Sequence, residues 1–110
     1  MNLKTNGTVN IKLYSDNYTG VKPDIIIINN SINYTKNEIN NTYNFSDSEN
    51  NINNITLIWD NLLTSTKYMF FHCENIIEID LSNFNTSSVT IMKNMFYQCK
   101  KLIFLNLTNS

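Results

Sequence analysis

The chain repeats itself. Residues 69–84 align with residues 95–110 at an offset of 26. Met69/Met95, Phe70/Phe96, Cys73/Cys99, Ile77/Ile103, Leu81/Leu107 and Asn83/Asn109 are identical. Phe71/Tyr97, Ile76/Leu102, Ile79/Leu105, Asp80/Asn106 and Ser82/Thr108 are close substitutions, and Lys67/Lys93 carry the match backward. A fixed period of this length marks a chain built from stacked units, because one such unit cannot bury its own apolar side chains. Matching residues then lie over one another and shield each other from water.

The frame also predicts the shape of a unit. Ile76-x-x-Ile79-x-Leu81 matches the start of the leucine-rich pattern L-x-x-L-x-L. Ile79-Asp80-Leu81 alternates like a strand with one buried face. Residues 82–88 form an Asn- and Ser-rich turn. Val89, Met92 and Met95/Phe96 follow at spacings of three and four, which predicts a short helix capped by Thr86, Ser87 or Ser88. The expected fold is therefore α/β: a short leucine-rich-repeat-like right-handed solenoid of parallel strands and short helices. Its repeat core comprises Met69, Phe70, Cys73, Ile76, Ile79, Leu81, Val89, Met92, Met95, Phe96, Cys99, Leu102, Leu105 and Leu107.

Residues 53–110 divide into a degenerate rung (53–68, with a strand at Ile55–Trp59), a repeat (69–94) and a partial repeat (95–110). Ile55 falls 26 residues before Leu81. Residues 1–52 show no such period. Val9-x-Ile11-x-Leu13 alternates as a strand, Gly20–Asp24 reads as a turn around Pro23, and Ile25–Ile28 reads as a buried strand. Tyr43 and Phe45 indicate a further short strand, and residues 46–54 a connection. This half is expected to be a β-rich N-terminal cap over the open end of the repeats.

The run Met69-Phe70-x-x-Cys73, continuing through Leu81-Ser82-Asn83-Phe84-Asn85-Thr86-Ser87-x-Val89-Thr90-x-Met92-x-x-Met95-Phe96-x-x-Cys99, resembles the 26-residue repeat of BspA-like leucine-rich-repeat surface proteins. Such proteins occur as mycoplasma lipoproteins and on anaerobic protists. The resemblance spans residues 53–110. It implies a leucine-rich-repeat fold, a cell-surface or secreted location and a role in adhesion or protein binding.

Composition narrows the alternatives. Leu, Ile, Val and Phe number 33 of 110 residues, well above the roughly 20% below which chains stay disordered. The net charge is −1, arginine is absent, and the eight lysines form no stripe. Nucleic-acid binding therefore lacks its electrostatic footprint. The longest apolar run, Ile25–Ile28, is too short to cross a membrane. Met1–Asn6 has no apolar stretch behind it and does not read as a secretion signal, so a cytoplasmic scaffold is the alternative to a surface protein. The 22 asparagines read mainly as polar filler in turns and on solvated faces. Nine of them open N-x-[ST] sequons, against about four by chance, which adds mild weight to a surface location.

No catalytic constellation, cofactor motif or metal cluster stands out, and the expectation is a non-enzymatic module that takes a protein or cell-surface ligand. Glu78, Asp80, Phe104 and Asn106 are the contact candidates, because they lie between the buried positions of the predicted strands. Cys73 and Cys99 occupy equivalent places and read as a ladder of buried thiols, with a disulfide or a metal pair as alternatives. His72 reads as a surface residue, since its equivalent is Gln98. Trp59 reads as core of the first rung, with an interface anchor as the alternative. The chain stops inside its second repeat, leaving strand 102–107 as an open edge through which it could self-associate. A repeat fragment without independent function is the remaining reading.

Overall fold

Alternation along Ile52–Ile58 forms the longest strand: Asn53, Ile55 and Leu57 are buried, while the residues between them reach the surface. A computed structural model describes residues 1–45 and 49–107. Thr108, Asn109 and Ser110 of the partial repeat, and residues 46–48 of the expected connection, lie outside the described residues. The strands are β1 (Asn2–Asn6), β2 (Ile11–Lys12), β3 (Ile25–Ile28), β4 (Ile32–Thr35), β5 (Thr42–Tyr43), β6 (Ile52–Ile58), β7 (Ile76–Asp80) and β8 (Phe104–Asn106). Six of them form one sheet in the order β4-β3-β6-β1-β7-β8, and β2 pairs with β5 in a second. All pairings are antiparallel except β7–β8, which is parallel.

Register ties the sheet together through one apolar row. Ile28 faces Ile55, Ile55 faces Leu3, Leu3 faces Ile79, and Ile79 faces Leu105. All but Leu105 are buried. Each such side chain contributes about 1.5–3 kcal/mol when fully withdrawn from water. The row passes through both halves of the chain, so strands from residues 1–52 and 53–110 interleave in one sheet. Ile11, Leu13, Tyr14, Phe45, Met69 and Phe70 close the same core beneath it.

The expected α/β solenoid does not form. Among the described residues there is no helix, and the chain makes sheets that are largely antiparallel. Two physical features account for the difference. The first is the conformation of the predicted helix. Met92–Met95 and Phe96–Cys99 are tight turns, closed by N–H···O=C bonds of 3.2 Å each. Thr66–Met69 and Phe70–Cys73 are their counterparts at 3.0 Å. The third residue of each turn, Tyr68, His72, Asn94 or Gln98, has φ between 53° and 63°. A left-handed residue at every fourth position stops a right-handed helix from propagating. Consecutive turns still bring every fourth residue to one side, so they mimic a helical stripe in sequence.

The second feature is β1. It inserts between β6 and β7, antiparallel to both. Ile55 therefore sits level with Ile79, across Leu3, and residues 53–58 do not stack directly on β7. Residues 2–6 alternate outward Lys4 with inward Leu3 and Thr5, too short a stretch to be singled out by pattern alone. Gly7 ends the strand at φ 117°, where an added Cβ would come within 2.9 Å of the Ile11 side chain.

Stacking at 26 residues is nonetheless physical at the C-terminal end of the sheet. Residues 64–81 form a first unit and residues 90–107 a second. Backbone bonds run from Thr90 N–H to Thr64, Thr66 N–H to Ile91, Tyr68 N–H to Lys93, Phe70 N–H to Met95 and His72 N–H to Tyr97, at 2.9–3.0 Å. Glu78, Ile79 and Asp80 pair in parallel with Phe104, Leu105 and Asn106. The rings of Phe70 and Phe96 stack at 6.4 Å, and those of Phe71 and Tyr97 at 5.6 Å.

The Thr66 hydroxyl is buried with no hydrogen-bond partner. An unsatisfied buried hydroxyl is destabilising, and an isosteric methyl removes that cost. Thr66→Val is expected to raise the unfolding free energy by about 1 kcal/mol in urea titrations; a fall would mean the hydroxyl is satisfied.

Candidate interaction face

The four contact candidates lie on the solvent side of the sheet. Glu78 pairs with Phe104, and Asp80 with Asn106, so parallel register brings them together in two rows. β1 and β6 extend both rows. Lys4 and Asn54 continue the row of Glu78, and Asn2 and Thr56 the row of Asp80. Sequence pattern does not bring these four residues to the face: Asn2 and Lys4 lie on β1, which no pattern marks, and Asn54 and Thr56 on β6 join the rows only through β1. The Lys4 ammonium lies 3.5 Å from the Glu78 carboxylate. Asp80 accepts from the Ser82 backbone N–H at 2.9 Å, and hydrogen bonds from the Ser82 side chain and backbone hold its carboxyl below the usual range. Asn2, Lys4, Asn54, Thr56, Glu78 and Asp80 line a shallow cleft of about 270 Å³. Its charged groups already have partners within the sheet.

The second unit has a different character. In the first unit Ile79 and Leu81 are fully buried, whereas their equivalents Leu105 and Leu107 are 37% and 48% exposed. Ile103 is 81% exposed, and Ile91, Met92, Tyr97 and Phe104 are also exposed. Thr86, Val89, Met92 and Leu107 line an open, mainly apolar groove of about 350 Å³. Among the described residues β8 is the outermost strand on this side of the sheet. Apolar surface gathered in this way marks an interaction site more often than scattered exposed residues do. Of the core residues expected from the repeat, Met69, Phe70, Cys73, Ile76, Ile79, Leu81 and Met95 are buried. Val89, Phe96, Cys99 and Leu102 pack half-buried against them, while Met92 joins the exposed set with Leu105 and Leu107.

The remaining candidates are structural in their surroundings. Cys73 and Cys99 are free thiols. Cys99 Sγ donates to the Phe70 carbonyl at 3.0 Å. Burial pushes the Cys99 thiol up to about 11, partly offset by a backbone hydrogen bond at Cys73. Burial raises the Cys73 thiol further, with Cys99 adding to the effect. Both therefore stay protonated at neutral pH, the wrong form for a nucleophile or a metal ligand. His72 is exposed, edge-on to Phe71 with ring centres 4.2 Å apart. Trp59 is half-buried, donates its indole N–H to the Val21 carbonyl at 2.7 Å and packs on Phe84 at 5.7 Å. It thus links β6, the segment before β3 and the turn after β7.

Residues 22–108, more than three quarters of the chain, match the family described as Mycoplasma protein of unknown function, DUF285. The chain belongs to the DUF285 family. The matched span includes both stacked units, the exposed side of the second and all strands except β1 and β2. No curated protein and no solved structure matches this DUF285 chain. No helix among the described residues is long and apolar enough to cross a membrane.

Proposed function

We propose that this DUF285 chain is a non-enzymatic interaction module, displayed at a cell surface, that binds other proteins through the exposed side of its second unit. One observation carries the reading. The apolar frame that is buried in the first unit is exposed in the second: Ile79 and Leu81 are fully buried, Leu105 and Leu107 are not. Stacking supplies backbone pairing and apolar contact without asking the partner for a shaped pocket, so an edge of this kind receives a strand readily. The resemblance to BspA-like surface proteins and the excess of sequons support the surface setting. The free thiols, Cys73 buried and Cys99 half-buried, favour a second reading, a cytoplasmic scaffold using the same surface.

Selection from a random peptide display library tests the binding face. The wild-type chain would serve as bait and the variant Tyr97→Ser/Ile103→Thr/Phe104→Thr as counter-bait. These three side chains are exposed, so the variant is expected to keep the β-sheet circular dichroism and stability of the wild type to within about 0.5 kcal/mol per site. Sequences retained by the wild type and released by the variant are the expected result. No enrichment, or enrichment indifferent to the three substitutions, would remove this surface as the binding site.

A further inference from the structure

A polar cleft lies beside the small sheet, where the loop after β2 (residues 14–22) meets the stretch leading into β5 (residues 39–41). Tyr14, Asp16, Tyr18, Lys22, Ile39 and Asn40 are among the residues lining it, and its volume is about 230 Å³. Hydrogen bonds hold its walls in place. The Asn41 side-chain amide donates to the Tyr14 carbonyl at 3.1 Å and to the Asp16 carboxylate at 2.6 Å, and the Leu13 N–H donates to the Asn41 carbonyl at 2.8 Å. The Ser15 N–H donates to the Met69 carbonyl at 2.7 Å, which fixes the loop to the first stacked unit. The Tyr18 hydroxyl donates to the Val21 carbonyl at 2.6 Å. Gly20 leaves room for that ring, since an added Cβ would lie 2.6 Å from it. Walls set by the fold in this way spare a ligand the cost of ordering them.

Three donors in the cleft are unused. Tyr14 is 4% exposed, yet its hydroxyl has no hydrogen-bond partner among the described residues. Unlike the unpartnered hydroxyls of Thr5 and Thr66, it is not sealed from solvent, and Tyr14 lines the cleft. The Asn40 side-chain oxygen accepts from the Asn41 N–H, but its amide nitrogen has no partner among the described residues, and neither does the Lys22 ammonium. Asp16 is paired with Lys12 at 2.6 Å. An ionised carboxylate has about four acceptor sites, so Asp16 can still accept from a ligand hydroxyl. Lys12, Asp16 and Lys22 together leave one net positive charge, and Tyr14, Tyr18 and Ile39 supply apolar wall.

We propose that this cleft binds a single acidic sugar of the hexuronate class. The ligand carboxylate pairs with Lys22, its hydroxyls bond to Tyr14, Asn40 and Asp16, and its ring lies against the apolar wall. Size supports one ring: pockets for drug-sized ligands begin at about 300 Å³. The cleft shares no residue with the exposed side of the second unit, so either site can fail without the other.

Titration of the whole chain with sodium glucuronate, glucose and sodium acetate at equal ionic strength, followed by amide NMR, tests the site. Glucuronate is expected to shift the Asn40 side-chain amide and the backbone amides of Asp16 and Asn41, with a Kd on the order of 1 mM. Glucose, without the charge, and acetate, without the hydroxyls, should each bind about tenfold more weakly. Tyr14→Phe keeps the buried ring and removes only the unpartnered hydroxyl, and should weaken glucuronate about fivefold. Lys22→Gln, at an exposed position, should abolish the preference over glucose. No shift with about 20 mM glucuronate, or shifts indifferent to both substitutions, would remove the cleft as a site. Equal binding of glucose would overturn the acidic preference, and equal binding of acetate would show a site for bare anions and not for a sugar.

Discussion

Replacing Phe70 by alanine is expected to lower the unfolding free energy by about 3–5 kcal/mol, the usual range for a fully buried aromatic ring. Phe70 is fully buried and among the largest such side chains in the chain. Its ring stacks on Phe96 at an interplanar angle of 15°. Its backbone N–H donates to Met95, and its carbonyl accepts from both the Cys73 N–H and the Cys99 thiol. Alanine keeps the backbone bonds and removes the ring, so the loss reports packing between the units. Single domains have only about 5–15 kcal/mol in total, and the variant would sit close to the folding threshold. Equilibrium unfolding in urea, followed by far-ultraviolet circular dichroism, measures the change. Phe104→Ala is the control: that ring is half exposed and should cost far less. A similar loss for both would mean that the two units are not stacked as described.

Leu3→Ala is the second large effect, expected at about 2–5 kcal/mol. Leu3 is 2% exposed and stands at the middle of the apolar row, between Ile55 and Ile79. Among the described residues β1 is the only strand that joins β6 to β7. A cavity there weakens the link between the N-terminal strands and the stacked units. Hydrogen exchange should therefore lose protection in β6 and β7 together, while β3–β4, further along the sheet, loses less. Uniform loss across the sheet would show one indivisible cooperative unit. Loss confined to β7 and β8 would show that β1 belongs to the repeats alone.

The parts of the fold that were legible in sequence are those fixed by local repetition. The 26-residue period by itself sets Ile79 over Leu105 and Phe70 over Phe96, as the structure has them. The apolar alternation around Ile55–Ile58 and the run Ile25–Ile28 marked two strands of the large sheet. What failed was the conformation between the strands. Met92, Met95 and Phe96 are spaced as a helix would space them, but Asn94 and Gln98 are left-handed, and only the backbone angles distinguish the two cases. Asparagine adopts that conformation more easily than most residues, and Asn10, Asn29, Asn30, Asn50, Asn51 and Asn94 all do so here. Part of the asparagine excess thus has a structural use in turns.

Long-range topology was the second blind spot. Nothing local in Asn2–Asn6 says that it will separate β6 from β7. The candidate face was partly legible for the same reason. Glu78, Asp80, Phe104 and Asn106 follow from strand alternation within the repeat, but Lys4, Asn2, Asn54 and Thr56 join them only through the inserted strand. The exposed side of the second unit follows from where the described stacking ends, which no single-residue property reveals.

A nuclear Overhauser spectrum of the β7–β8 pair addresses the stacking most directly. In-register parallel strands predict inter-strand contacts linking Glu78 to Phe104, Ile79 to Leu105 and Asp80 to Asn106, along with ring contacts between Phe70 and Phe96. A pairing displaced by one residue, an antiparallel pattern, or rings with no mutual contact would contradict it.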